Sequence, residues 1–131
     1  MSKREKGLIL YFISPIRRDV RKAVQHYVRA LGGVVRIEYA LKVFVVPSAV
    51  ITDAEGNYGF GAFYVNKGVI IIAGQQMPGV TRTEWLTKRL PVIICHELAH
   101  YEQFRDQRPI QERGIKVRVR SLLRGAGIAA E

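Results

Sequence analysis

A chain of 131 residues, 48% of them hydrophobic, has material for one compact core and little for a second. No apolar run approaches the roughly 20 residues a membrane-spanning helix needs, which argues against a helical membrane protein. The net charge of +10 suits acidic partners, nucleic acid the commonest, but it also suits a well-solvated surface, and charge alone specifies no fold.

The N-terminus, Met1-Ser2-Lys3-Arg4-Glu5-Lys6, is basic. The apolar run at 8–13 is short and leads straight into Ser14-Pro15, so no secretory signal is expected. That run, Leu8-Ile9-Leu10-Tyr11-Phe12-Ile13, reads as a strand. Ser14 then offers an N-cap and Pro15 a first helical position. Apolar residues at Ile16, Val20, Ala23, Val24, Tyr27, Val28 and Leu31 follow at steps of three and four, which predicts an amphipathic helix ended by Gly32-Gly33. Residues 34–46 are rich in β-branched and aromatic types and read as one long strand or two short ones, closed by Pro47. Residues 48–57 read as a loop. Residues 58–65 and 69–73 flank Asn66-Lys67-Gly68, a β-hairpin signal with glycine at the turn.

After a linker at 74–79, Thr81-Arg82-Thr83-Glu84 has the spacing of a capping box. A helix is predicted from there to about Arg105, kinked or briefly broken at Pro91, which lacks a backbone donor and crowds the preceding turn. Arg108-Pro109 separates it from a last helix over about 110–123, and Gly125-Ala126-Gly127 is expected to fray its end. Residues 1–131 thus read as one α+β domain: a small mixed sheet with an N-terminal helix, a central helix and a C-terminal helix.

The chemistry lies in His96-Glu97-Leu98-Ala99-His100. Two histidines four apart share a helix face and can reach one tetrahedral zinc ion. Glu97, next to the first, can lie beside the metal without binding it. Zinc brings a coordinated water's pKa near neutrality, so Glu97 can act as the base that takes its proton. The pattern also arises by chance in ordinary helices. Here it is embedded in Val92-Ile93-Ile94-Cys95 and Leu98-Ala99, where burying these groups without a partner would be costly, so Zn2+ is the expected cofactor.

A catalytic zinc takes three protein ligands and keeps a position for water. The chain has three histidines, and the third, His26, falls on another helix. A carboxylate is therefore expected. Glu112 is placed in the first turn of the last helix, on the face of Ile115, Val119 and Leu122, where it would need a partner; a first-turn glutamate favoured by the helix dipole is the plain alternative. Asp106 competes, but Gln103 stands where a glycine would let the chain turn back toward the metal. Glu102 is expected on the far side of the helix. Gln103 lies on the ligand face and can steady a ligand or the last helix by hydrogen bonding. Cys95, the one cysteine, reads as a small core residue. With it the chain can form no internal disulfide, which suits a reducing cytoplasmic location.

Strand, turn, strand, then a helix with His96-Glu97-Leu98-Ala99-His100-Tyr101-Glu102-Gln103, then Glu112, resembles the minimal gluzincins, the compact zincin-fold peptidases related in plan to the thermolysin catalytic core and often carried on phages and mobile elements. The resemblance covers about residues 58–123. It implies a zincin-like fold, zinc on His96, His100 and Glu112, and Glu97 as general base and acid. It further implies that one of the two hairpin strands, 58–65 or 69–73, is the edge along which an extended peptide or protein substrate pairs. Tyr58, Tyr64, Tyr101 and His26 are the candidates for stabilising the oxyanion.

Three functions follow as expectations. The first is peptide-bond hydrolysis as a zinc metallopeptidase. The second is a nucleic-acid-associated protein with a structural zinc and a working basic surface, drawn from Lys3 to Lys6, Arg17-Arg18 with Arg21-Lys22, and Lys116, Arg118, Arg120 and Arg124. The two combine in zincin proteases that act on DNA-bound proteins. The third is a catalytically inactive regulator that binds peptide along the edge strand. No RNA-recognition aromatic motif or zinc-finger cysteine pattern accompanies the charge.

Overall fold

A computed structural model describes residues 7–129 in full and residues 2–5 as backbone. The basic cluster Lys3 to Lys6 therefore lies outside the described side chains. Strands β1 (Ser2–Glu5), β2 (Leu8–Phe12), β3 (Leu41–Val46), β6 (Gly61–Tyr64) and β7 (Val69–Ala73) form one sheet in the order β1-β2-β3-β7-β6. The β2–β3 and β3–β7 pairs are parallel, and the two outer pairs are antiparallel. Leu10, Val43 and Ile70 stand in register across its middle.

Alternation sets the two faces. Leu8, Leu10, Leu41, Val43, Val45, Ile70 and Ile72 are buried on one face. Onto it pack α1 (Arg18–Gly32), through Val20, Val24, Val28 and Leu31, and α3 (Leu90–Arg105), through Leu90, Ile94 and Leu98. On the opposite face Tyr11 stacks on Phe44, with ring centroids 4.7 Å apart. A small second sheet, β4 (Ile51–Thr52) with β5 (Tyr58–Gly59), packs Ile51 against Ala62 and Ala73 at one end of that face. The molecule is thus a mixed α+β protein with a small mixed sheet. No helix of the described residues is long and apolar enough to cross a membrane.

Several sequence expectations change. Ser14 does not cap α1, which begins at Arg18. The chain stays with the sheet as far as Ile13, whose amide donates to the Val45 carbonyl, and Ile16 then packs on the core before the helix starts. Of residues 34–46 only Leu41–Val46 form a strand. The Val34 and Val35 amides donate instead to the Leu31 carbonyl, closing the end of α1, and Val35 reaches the core from this loop. The expected loop at 48–57 contains β4, and the expected strand at 58–65 divides at Phe60 between the two sheets.

The hairpin and its glycine turn form where expected, with the first strand shortened to Gly61–Tyr64. A 3-10 turn (Val65–Lys67) ends at Gly68, which takes the left-handed conformation (φ 61°) that a side chain would resist. Because β7 lies between β3 and β6, β6 is the hairpin strand at the sheet edge.

Thr81 caps the short α2 (Arg82–Glu84) by accepting from the Glu84 amide at 3.1 Å. The Glu84 carboxylate turns to Arg89 rather than back to the cap, so half of the box is used. The break expected at Pro91 takes the form of a π turn just before it (Trp85–Arg89), with the Leu90 amide reaching back to the Trp85 carbonyl. This wider turn precedes the missing proline donor, and the helix resumes as α3 without ending.

The last helix, α4 (Ile115–Gly125), starts later than expected, so Glu112 is not in its first turn. Its end is capped rather than frayed. Gly127 is left-handed (φ 73°), the Ile128 amide donates to the Leu123 carbonyl, and the Gly127 amide donates to the Arg124 carbonyl, a Schellman arrangement.

Candidate metal centre

Helix α3 runs through the core and is buried on most of its surface. Its rise and twist place His96 and His100 one turn apart with their imidazoles edge to face and Nε2 atoms 3.2 Å from one another. Glu112 comes from the connection between α3 and α4, and its side chain is 73% exposed. It nevertheless reaches both rings: Oε1 lies 3.1 Å from His96 Nε2 and Oε2 lies 2.7 Å from His100 Nε2. Among the described residues these three form a group that could hold a metal ion.

The separations can be compared with what zinc demands. With bonds of about 2.0–2.1 Å, two ligands of a tetrahedral ion stand about 3.3–3.4 Å apart. The observed 3.2 and 3.1 Å fall close to that edge, and 2.7 Å is somewhat short of it. Two imidazole nitrogens and a carboxylate oxygen are donors that zinc and other divalent metals accept. His96 is a third exposed, which leaves a solvent side for a fourth position.

Gln103 orders this arrangement. Its Oε1 lies 2.9 Å from His100 Nδ1 and accepts from the Gln111 amide at 3.1 Å, while its Nε2 donates to the Gln111 carbonyl at 3.0 Å. The Gln111 amide can only donate, so the oxygen of Gln103 must face it. That same oxygen then requires His100 to carry its proton on Nδ1, which leaves Nε2 with a lone pair toward the cluster. One side chain thereby sets the histidine tautomer and anchors the connection one residue before Glu112. The connection turns back through the Arg108 amide on the Gln103 carbonyl and the Ile115 amide on the Glu112 carbonyl. A His100 lone pair beside a carboxylate oxygen needs a cation or a proton between them. At His96, burial holds the pKa below the usual imidazole value despite Glu112 nearby.

Glu97 is buried beside the cluster. Burial first, then the Glu112 and Asp53 charges, push its carboxyl up to about 8. It packs against β6 where that strand has Gly61: a Cβ there would sit 3.2 Å from Glu97 Cγ and Oε2 and 2.9 Å from Ile93 Cγ2. The absence of a side chain at Gly61 lets the helix lie this close to the sheet edge.

The remaining candidates fall elsewhere. Asp106 pairs with its neighbour Arg105 at 2.8 Å and does not join the cluster. Cys95 is buried with its thiol 3.7 Å from the Val119 carbonyl; burial first, then Glu102, push its pKa up to about 12. Glu102 points away from the site, is 2% exposed, and makes a two-pronged pair with Arg118 of α4 at 2.7 Å each. Tyr101 accepts the Glu38 amide at its hydroxyl, and the Tyr64 hydroxyl donates to the Thr52 carbonyl. Tyr58 on β5 and His26 on α1 are exposed. The structure ties none of the four to the metal cluster.

Sequence reasoning gave Gly61 and Asp53 no part in the site and read Arg118 only as part of a basic surface. Gly61 acts through a strand-to-helix approach and Asp53 through its charge near Glu97, neither signalled by local spacing, and Glu102 and Arg118 lie on different helices with no motif joining them. Compared with protein-family models, curated proteins and solved structures, the chain matches none.

Proposed function

We propose that this chain is a zinc metallopeptidase with a zincin-like plan, in which His96, His100 and Glu112 hold the metal and Glu97 is the general base and acid. The observation that carries the reading is the Glu112 carboxylate lying across both imidazole Nε2 atoms, with Glu97 buried alongside. Three donors with an exposed side fit a catalytic centre better than the closed four-ligand site of a structural zinc. That weighs against a purely structural metal in a nucleic-acid-binding protein.

A bound zinc ion would supply a Lewis acid that ionises water near neutrality and draws the Glu97 carboxyl back toward its charged form. The chain's own groups do the rest. Gln103 keeps His100 in the tautomer that presents Nε2. Glu97 takes a proton from the attacking water as the C–O bond forms and gives it to the amine nitrogen as the C–N bond breaks. The backbone of β6 offers the edge along which an extended substrate would pair, and Gly61 keeps that edge within reach of Glu97.

The test is zinc analysis combined with peptide turnover for the parent and Glu97→Gln. Both proteins should bind zinc, and Glu97→Gln should lose at least about a hundredfold in turnover. A variant that cleaves as fast as the parent, or a parent that binds no zinc, would overturn the proposal.

A further inference from the structure

A groove of about 830 Å³ leads away from His96 and Glu112 along α4. It is within the size range of ligand sites. Val92, one helical turn before His96 on α3, forms part of its wall, with Leu123 of α4 and Ile128 beyond it. Along α4 its rim carries Lys116, Arg120 and Arg124. Among the described residues Glu112 is the one acid on the lining, and it stands at the metal end.

We infer that this groove is the specificity subsite of the same centre and takes an extended peptide with acidic side chains at alternate positions. The inference rests on the peptidase reading above. Its geometric support is a match of repeats. Residues four apart on a helix are about 6 Å apart along the axis, so Lys116, Arg120 and Arg124 form a stripe of about 12 Å. Alternate residues of an extended chain are about 6.6 Å apart and point to the same side. Acidic side chains at every second position would meet the cations in turn, while the residues between them face the apolar wall. The Lys116 to Arg124 stripe thus spans about four residue steps, or five substrate residues.

Single-stranded nucleic acid would meet the same charges but lacks its usual platform. Such strands stack their bases on aromatic side chains, and among the described residues the lining contains none apart from the His96 imidazole. Phosphates at the metal end would also face Glu112.

The test uses zinc-loaded Glu97→Gln protein, which holds peptide without turning it over. Fluorescence anisotropy would compare a labelled peptide of alternating glutamate and valine, its lysine–valine counterpart, and an oligothymidylate of the same length. The acidic peptide should bind about tenfold tighter than the basic one, as expected of two or three partly exposed charge pairs. Lys116→Glu with Arg124→Glu should abolish or reverse that preference, and the milder Lys116→Gln with Arg124→Gln should reduce it, giving a second reading if charge reversal impairs folding. Equal binding of the two peptides would overturn the inference. So would an oligothymidylate that binds more tightly than the acidic peptide and displaces it, which would make the groove a nucleic-acid site.

The parent protein separates the two proposals. Cleavage of acidic and basic peptides at equal rates would refute the subsite and leave the peptidase reading standing. Selective binding of the acidic peptide, with no peptide cleaved, would support the subsite's selectivity and overturn the peptidase reading.

Discussion

Replacing Gln103 with methionine keeps an unbranched chain of similar length but removes three hydrogen bonds. The partners lose unequally. His100 is almost wholly buried, so its Nδ1 proton is left dry, at about 1–3 kcal/mol. The Gln111 amide and carbonyl belong to an exposed residue that water can reach, and their two bonds are worth about 0.5–1 kcal/mol each. The metal-free protein should therefore lose about 2–5 kcal/mol, read by urea unfolding in the presence of a chelator. Zinc affinity should fall about 10–100-fold, because His100 loses its fixed tautomer and Glu112 its anchor; a competitive zinc titration measures this. Gln103→Glu supplies a contrast. It retains an acceptor for His100 and for the Gln111 amide, so its zinc affinity should stay nearer the parent's than that of Gln103→Met. Loss of stability with unchanged zinc affinity would reduce Gln103 to a packing residue and refute the orienting role. No change in either would refute the hydrogen bonds themselves.

Glu112→Ala should lose most of its zinc in metal analysis while Asp106→Ala keeps it; full zinc in Glu112→Ala would remove the third ligand. Arg118→Met strands the Glu102 carboxylate, which is almost wholly buried, and should destabilise by about 2–3 kcal/mol, the modest figure reflecting the half-exposed arginine. Denaturation that matches the parent would show that the pair does not hold α4 to α3. Gly61→Ala should lower both stability and turnover. Overpacking against Ile93 and Glu97 costs about 1–3 kcal/mol, partly offset by about 0.4–1 kcal/mol from a less flexible unfolded chain. An alanine variant as stable and as active as the parent would show that the approach of β6 to Glu97 is not tight.

The elements that could be read from sequence were those whose local pattern and tertiary role agree. The hairpin has glycine at the one turn position that needs a left-handed residue, and the central helix carries its cap at Thr81. Elements failed where a backbone group found a partner that no local pattern foretells. Val34, Val35 and Ile37 have the side chains of a strand, but two of their amides close the helix before them, so no ladder forms until Leu41. Ser14 and Pro15 have the chemistry of a helix start, but Ile13 is still bonded to β3 and the chain needs four further residues before α1 can begin.

Glu112 shows the same division inside the site. Periodicity placed it on the buried face of α4, and that reason fails, because the residue is exposed and precedes the helix. What the structure leaves standing is the argument by elimination: with His26 on another helix, a third donor beside His96 and His100 would be a carboxylate, and the chain has few of them downstream. The structure also alters what kind of ligand it would be. His96 and His100 are held by the packing of α3 and would keep their places in a metal-free protein. Glu112 is held by hydrogen bonds from its own connection, chiefly those between Gln103 and Gln111, and not by burial. On the proposed reading, charge that draws a substrate along α4 would act beside this least-packed ligand, so binding in the groove would be coupled to the placing of Glu112.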